Sequence, residues 1–527
     1  MNTANNAIAP NAQRLLWAGF TAILAAGLGF GIRGGIFANW AADFNFSATQ
    51  LGLIGGAGFT SFCFGIIIGG LLVDKIGYGK LVAAAFALHV ISALITFTAN
   101  PSMPQGVSYQ ILFWGMFAFG AANGTLEAVA NPMIATLFPN NRNHYLNILH
   151  ASWPLGMIFG GLIGWSMGHY DWKIQLAFYL IPTLVYGAMY LGQKFPQSEA
   201  SAKGLKLGEM LKDVGILGAA VVSGLLYLFF IGIFTPLLPD QEPLAKTLSA
   251  VIAGGMFLWI AAITGFALGH WVLFLLFIAH AMVGAVEIGT DSWIQNITGS
   301  ILTVEQGKIL FVITSLFMFV LRFMAHFIET KLGLKPVSLL FVCALLACLG
   351  LNLVSAVHAF GPAIGALMVY AFGKTFFWPT MLAVAGDRFP RTGAIAMSLM
   401  GGVGMMSAGL IGSPGLGYSK DRFAAQELKE NHPALYQEWQ SSEAKSKFFG
   451  FQEITPLDAK RLEEAKKIPV AKRTPEQQTV VAADIQANRT TLKIDSLIPA
   501  SMAVIYLILM LYFKAIGGYR PLRVDEA

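Results

Sequence analysis

The chain has 527 residues, of which 56% are hydrophobic and only 12% charged, with a mean hydropathy of +0.63. Soluble domains carry about one-quarter charged residues, so this composition excludes a soluble enzyme or binding module and identifies an integral membrane protein. The net charge of +6 is no nucleic-acid footprint, because its Lys and Arg lie mostly between the apolar runs. Cys63, Cys343 and Cys348 all fall inside apolar runs, where they make neither a disulfide framework nor a metal spacing. Long apolar runs, rather than alternating ten-residue segments, predict a helical bundle and not an outer-membrane barrel.

About fourteen spans are expected. They lie near residues 15–38, 50–73, 81–99, 109–138, 144–168, 174–192, 213–236, 247–268, 270–297, 304–328, 336–357, 359–388, 392–415 and 496–516. The first has no cleavage site and reads as a span, not a signal peptide. Lys75, Lys80, Arg142, Lys194, Lys203, Lys206, Lys212, Lys331, Lys335, Arg388 and Arg391 fall on one set of loops. The positive-inside rule then makes both termini cytoplasmic, in a multi-pass protein of the cell membrane, a bacterial inner membrane. The basic segment 194–212 separates a six-helix half at 1–193 from a linker with two inserted spans at 194–269 and a second six-helix half at 270–527. The second half contains the one long polar segment, 418–495, which reads as short helices capping the outer face.

The fourth run carries Asn123, Glu127 and Asn131, each four residues apart and therefore on one helical stripe. An intramembrane carboxylate is expensive and must face a wet cavity or a partner. Laying Asn131-Pro132 over Trp378-Pro379 places Glu127 over Lys374, which suggests a diverged repeat of two six-span halves with a polar site between them.

The loop Gly70-x-x-x-Asp74-Lys75-x-Gly77, followed by Lys80, resembles the loop signature of the major facilitator superfamily. Within it, Leu126-Glu127-x-x-x-Asn131-Pro132 resembles the fourth-helix motif of the fucose–galactose–glucose:proton symporter family. Leu146-Asn147 onward is similar to its fifth helix, Gly284-Ala285-Val286-Glu287-Ile288-Gly289 to its seventh, and Phe377-Trp378-Pro379-Thr380 to its tenth. His150 and Trp153 stand where the family's fifth helix has Gln and Asn, and Arg33 stands where a proton-linked acid of the first helix lies. The resemblance implies an all-α transporter fold of two six-helix halves, here with two added helices. It also implies a sugar site that combines aromatic stacking with carboxylates, amides and imidazoles.

Spacing supplies the remaining candidates. Glu287, Asp291 and Gln295 continue one stripe, Lys374 and Trp378 another, and His150 and Trp153 share a face. These residues, with Asn123, Glu127 and Asn131, form the expected solute site. Arg33 and Lys374 set two cations against the carboxylates of Glu127, Glu287 and Asp291, so one proton makes the set neutral; either Glu127 carries that proton, or Arg33 holds Glu127 ionised and it binds the solute. Gly70, Asp74, Lys75, Gly77, Arg322 and Glu329 are the expected gating residues, Arg322 near the cytoplasmic helix end.

The function expected is therefore proton-coupled secondary transport of a small polar solute, a sugar first. It involves no cofactor, no metal and no nucleic acid, and the chain acts as a monomer in the lipid bilayer. A peptide or muropeptide carrier is the alternative within transport, because some families of the superfamily also insert two helices. A receptor that does not transport is the alternative outside it. No Ser/His/Asp, Cys/His, H-x-x-x-H or phosphate-loop pattern points to an enzyme.

Overall fold

The computed structural model describes residues 10–138, 142–196, 207–238, 241–331, 333–389, 392–520 and 522. Helices dominate because almost every apolar run is long enough to satisfy its own backbone across a bilayer. The first half contains α1 (Ala12–Phe44), α2 (Ala48–Ile76), α3 (Tyr78–Phe97), α4 (Gln105–Leu137) and α5 (Arg142–Ser166). It ends in a broken sixth rod, α6 (Trp172–Ala177) and α7 (Leu180–Tyr190). That break falls four residues before Pro182, whose ring clashes with the carbonyl of Phe178.

Two helices follow, α8 (Gly215–Leu237) and α9 (Glu242–Ile263), packed on each other. They meet the rest through contacts such as Phe229 on Phe64, whose ring centroids lie 4.7 Å apart. Val251, Leu258 and Trp259 of α9 are exposed, as lipid-facing residues are.

The second half contains α10 (Trp271–Ile301), α11 (Val304–Lys331) and α12 (Pro336–Ala356). The broken rod α13 (Phe360–Thr375) and α14 (Phe377–Arg388) follows, then α15 over 393–431. Twelve helices among the described residues are long and apolar enough to cross a membrane. The α4 helix and the α6–α7 rod occupy two further positions, packed against α1, α2 and α3.

Two π-helical turns interrupt the second half, Gly284–Gly289 within α10 and Ala408–Gly412 within α15, and they pack against each other. Such turns redirect side chains and recur at functional sites. The carbonyl of Val286, inside the first turn, accepts from the Tyr370 hydroxyl at 2.6 Å.

The polar segment 418–495 is more continuous with the membrane helices than the expected short helices. The α15 helix runs on to Asn431, and α18 (Pro475–Asp495) stacks directly on α19 (Leu497–Ala515). Between them lie α16 (Pro433–Trp439) and α17 (Ala459–Lys467). The α18 start is set by a capping box between Thr474 and Gln477, with Pro475 at the first helical position. This cap has its own apolar cluster, including Leu428, Trp439, Leu462 and Val480. Lys466 bonds Glu463 and Asp484, each at 2.9 Å. Burial works against its charge, but those two carboxylates outweigh it and hold the ammonium above the usual lysine range.

Candidate functional site

The halves meet along α2–α15 and α5–α11, and α1 closes on α10 beside the cap. There Phe37 packs on Trp293 at 5.2 Å, and Gln295 donates to the Gly31 carbonyl at 2.8 Å. Charged residues from both halves converge deeper in this interface.

From the first half come Glu127 and Asn131 of α4 and His150 of α5, all half-buried. The Asn131 amide donates to Glu127 Oε2 at 2.8 Å, which fixes the carboxylate. His150 lies in the field of Glu127 and Arg322. From the second half come Glu287 and Asp291 of α10, Arg322 of α11 and Lys374 of α13, with Trp378 at the start of α14. Lys374 and Asp291 form a direct ion pair in which both residues are buried. Arg322 faces Glu287, Glu127 and Asp291, and its Nη1 donates across the halves to the His150 carbonyl at 2.7 Å.

Local structure explains this convergence. Pro379 removes the backbone bond to Thr375, so the α13–α14 rod breaks at Phe376. The break aims the Trp378 N–H at Glu287, which lies in the π turn. One oxygen of Glu287, Oε2, is buried with no hydrogen-bond partner among the described residues.

Several expectations are corrected. Arg33 does not pair with Glu127 and does not reach an interface; it is 2% exposed inside the first half. Its guanidinium lies 3.7 Å from the Phe119 ring centroid and 4.9 Å from that of Tyr179, and Nη1 donates to the Gly29 carbonyl at 3.2 Å. Asn123 leaves the stripe as well, because its Oδ1 lies 2.8 Å from His89 Nε2. Each four-residue step advances the helix face by about 40°, so Asn123 and Asn131 point about 80° apart. Gln295 serves the seal beside the cap, and Trp153 packs on Phe30 at 5.4 Å.

Arg322 lies in the central cluster and not at the helix end. Gly70 through Lys75 are helical, since α2 continues to Ile76, and the turn is confined to Gly77, whose φ of +83° suits glycine. The side chains of Asp74, Lys75 and Glu329 lie outside the described residues.

Two further polar groups, His89 and His280, sit inside apolar runs. His89 bridges Asn123 and the Tyr186 hydroxyl, the latter at 2.9 Å. His280 is fully buried against Trp378, with ring centroids 4.5 Å apart. A lone imidazole inside a hydrophobic run was the available signal for each. No group of His, Cys, Asp and Glu among the described residues could hold a metal ion.

The family model of the Major Facilitator Superfamily matches residues 19–413. The chain belongs to that superfamily. Among its relatives, the hexuronate transporter of Bacillus subtilis is 28% identical over 253 residues, 44% of this chain and 57% of that protein. The L-fucose-proton symporter of Escherichia coli is 27% identical over 125 residues, 24% of this chain and 28% of that one. The cis,cis-muconate transport protein of Acinetobacter baylyi is 26% identical over 28% of this chain and 35% of its own length. The chain thus spans less than two thirds of each of these relatives. Among solved structures, an inward-facing, unoccupied bacterial homolog of the human lysosomal transporter Spinster superposes with a TM-score of 0.62 at 14% identity. That likeness covers 95% of this chain and 97% of the other, and it establishes the fold alone.

Proposed function

We propose that this transporter moves a small polar solute, a sugar first, together with a proton, by rocking its halves about the central cluster. The observation that carries this reading is a belt of charges drawn from both halves, with three carboxylates against two cations. Lys374 is committed to Asp291, so Glu127 and Glu287 compete for Arg322. Glu127 is the half-buried member of the two and Glu287 the buried one, which favours Glu127 as the proton's carrier. Protonating it neutralises the set and leaves Arg322 to Glu287 in its own half, which loosens the attraction between halves. Closure of α1 on α10 beside the cap, with no comparable packing of α4 on α14 among the described residues, supports an interface that opens away from the cap. On this reading the termini face the cytoplasm.

A carboxylated sugar is the second reading. Arg322 Nε is buried without a hydrogen-bond partner among the described residues, and relatives include transporters named for hexuronate and muconate. The inserted pair α8–α9 packs at the periphery on α2, α10 and α15.

The test is uptake of labelled neutral and carboxylated sugars into proteoliposomes under an imposed pH or sodium gradient. Accumulation is expected with the pH gradient. Glu127→Gln is expected to abolish accumulation while sparing exchange of solute across the membrane. Full proton-driven accumulation by Glu127→Gln rejects the role of that carboxylate, and accumulation of peptides but no sugars rejects the substrate class.

A further inference from the structure

The cap belongs mechanically to the second half. The α15 helix passes into it without a break apart from the π turn, and α19 enters it through α18. Thr290 donates to Asp495 at 2.7 Å, Ser300 donates to Asp484 at 2.8 Å, and Lys420 bonds Asn296, so the cap is pinned to α10 at three levels. Lys466 ties α17 to α18, which makes the cap one body.

The same body meets the first half where α17 packs on α1, and it holds the start of α2 through one buried carboxylate. Asp421, 8% exposed on α15, accepts from the Thr49 N–H at 2.8 Å, the Thr49 hydroxyl at 2.7 Å and the Ala48 N–H at 3.2 Å. These groups form the N-terminus of α2, where unpaired N–H groups and the helix dipole both favour an anion. The Ser446 hydroxyl of the cap adds a fourth bond at 2.5 Å and lies 3.5 Å from the Ser47 hydroxyl.

We propose that Asp421 is the latch that holds the capped face closed, so that opening this face requires the carboxylate to release the start of α2. This rests on the alternating-access reading above. The cap moves with α15, so rocking the halves apart on that face stretches the Asp421–Thr49 bonds together with the packing of α17 on α1. Charge-assisted bonds are about twice as strong as neutral ones, and here several act on one carboxylate, so the latch biases the resting population toward the closed state.

The experiment uses the full chain in nanodiscs with its three native cysteines replaced by alanine. Spin labels go on Ser102→Cys, in the exposed α3–α4 connection beside the cap, and Glu464→Cys, exposed on α17. The unlatched comparison is Asp421→Asn, with Thr49→Val as a second variant that weakens the same bonds from the other half without touching the cap. Asp421→Asn is expected to enlarge the longer-distance population about tenfold, with Thr49→Val moving in the same direction by less. Asp421→Glu, which keeps the charge, should restore most of the short distance. Distance distributions unchanged in both Asp421→Asn and Thr49→Val overturn the latch. If Asp421→Asn does not fold, Thr49→Val alone decides. A failure of sugar uptake under a pH gradient counts against the transport reading and leaves this distance measurement standing.

Discussion

Replacing Lys374 with alanine is expected to destabilise the protein by about 3–5 kcal/mol, the usual consequence of removing one partner from a buried ion pair. Lys374 is 1% exposed and Asp291 4%, so no water replaces the lost ammonium. The variant would also gather Asp291 and Glu287 around Arg322 as the one remaining cation of the cluster. Asp291→Asn combined with Lys374→Ala removes both charges and should recover most of the lost stability, because the pair's own attraction roughly balances its desolvation. Thermal unfolding of the two single variants and the double variant in detergent forms a double-mutant cycle that isolates the coupling. A strictly additive double variant would mean that the two groups do not depend on each other. Recovered folding without recovered uptake would assign the pair to solute handling as well as to structure.

Much of the cluster could be read from spacing, and the reasons are local. Glu287 and Asp291 are four apart in one apolar run, so a regular helix predicts a shared face, and both join the cluster although Glu287 lies in the π turn. Lys374 could be set opposite Glu127 by the internal repeat, although its bonded partner is Asp291. What spacing did not reach is register and tertiary packing. The π turn at Gly284–Gly289 inserts extra backbone between Val283 and Thr290, and Gln295 beyond it serves the seal with Gly31. Arg33 misled for a different reason: its partners are the rings of Phe119 and Tyr179, and an aromatic in an apolar run gives no sign that it will cover a cation. Arg322 then takes the place assigned to Arg33, so the balance of two cations and three carboxylates survives with one member exchanged. The cap was legible as a polar segment of mixed charge. Its role could not be read, because the bonds of Asp421 to Ala48 and Thr49 span more than 370 positions of sequence.

Gly284→Ala is expected to be among the most disruptive single-methyl changes in the chain. A Cβ built there lies 1.8 Å from the Gly404 carbonyl oxygen and 2.5 Å from its carbonyl carbon. Both obstacles are backbone, so no rotamer change relieves them, and α10 and α15 must separate beside the π turn that carries Glu287. Overpacking of a dense core costs about 1–3 kcal/mol and more where backbone must shift. Separation at this point also displaces Glu287 from Arg322 and Trp378, so transport should fall further than stability does. Gly404→Ala tests the same contact from the other side and should be milder. Its Cβ meets the ring edges of Trp378 at 2.8 Å and His280 at 2.9 Å, which are side chains able to tilt. Gly254→Ala supplies the control: nothing lies within 4 Å of its Cβ on the lipid-facing α9, and alanine there should stabilise the helix by about 0.5–1 kcal/mol. Unfolding temperatures and uptake rates measured for the three should rank Gly254→Ala above Gly404→Ala above Gly284→Ala. Near-native uptake by Gly284→Ala would show that the two helices have room to part, and that the placement of Glu287 does not depend on their contact.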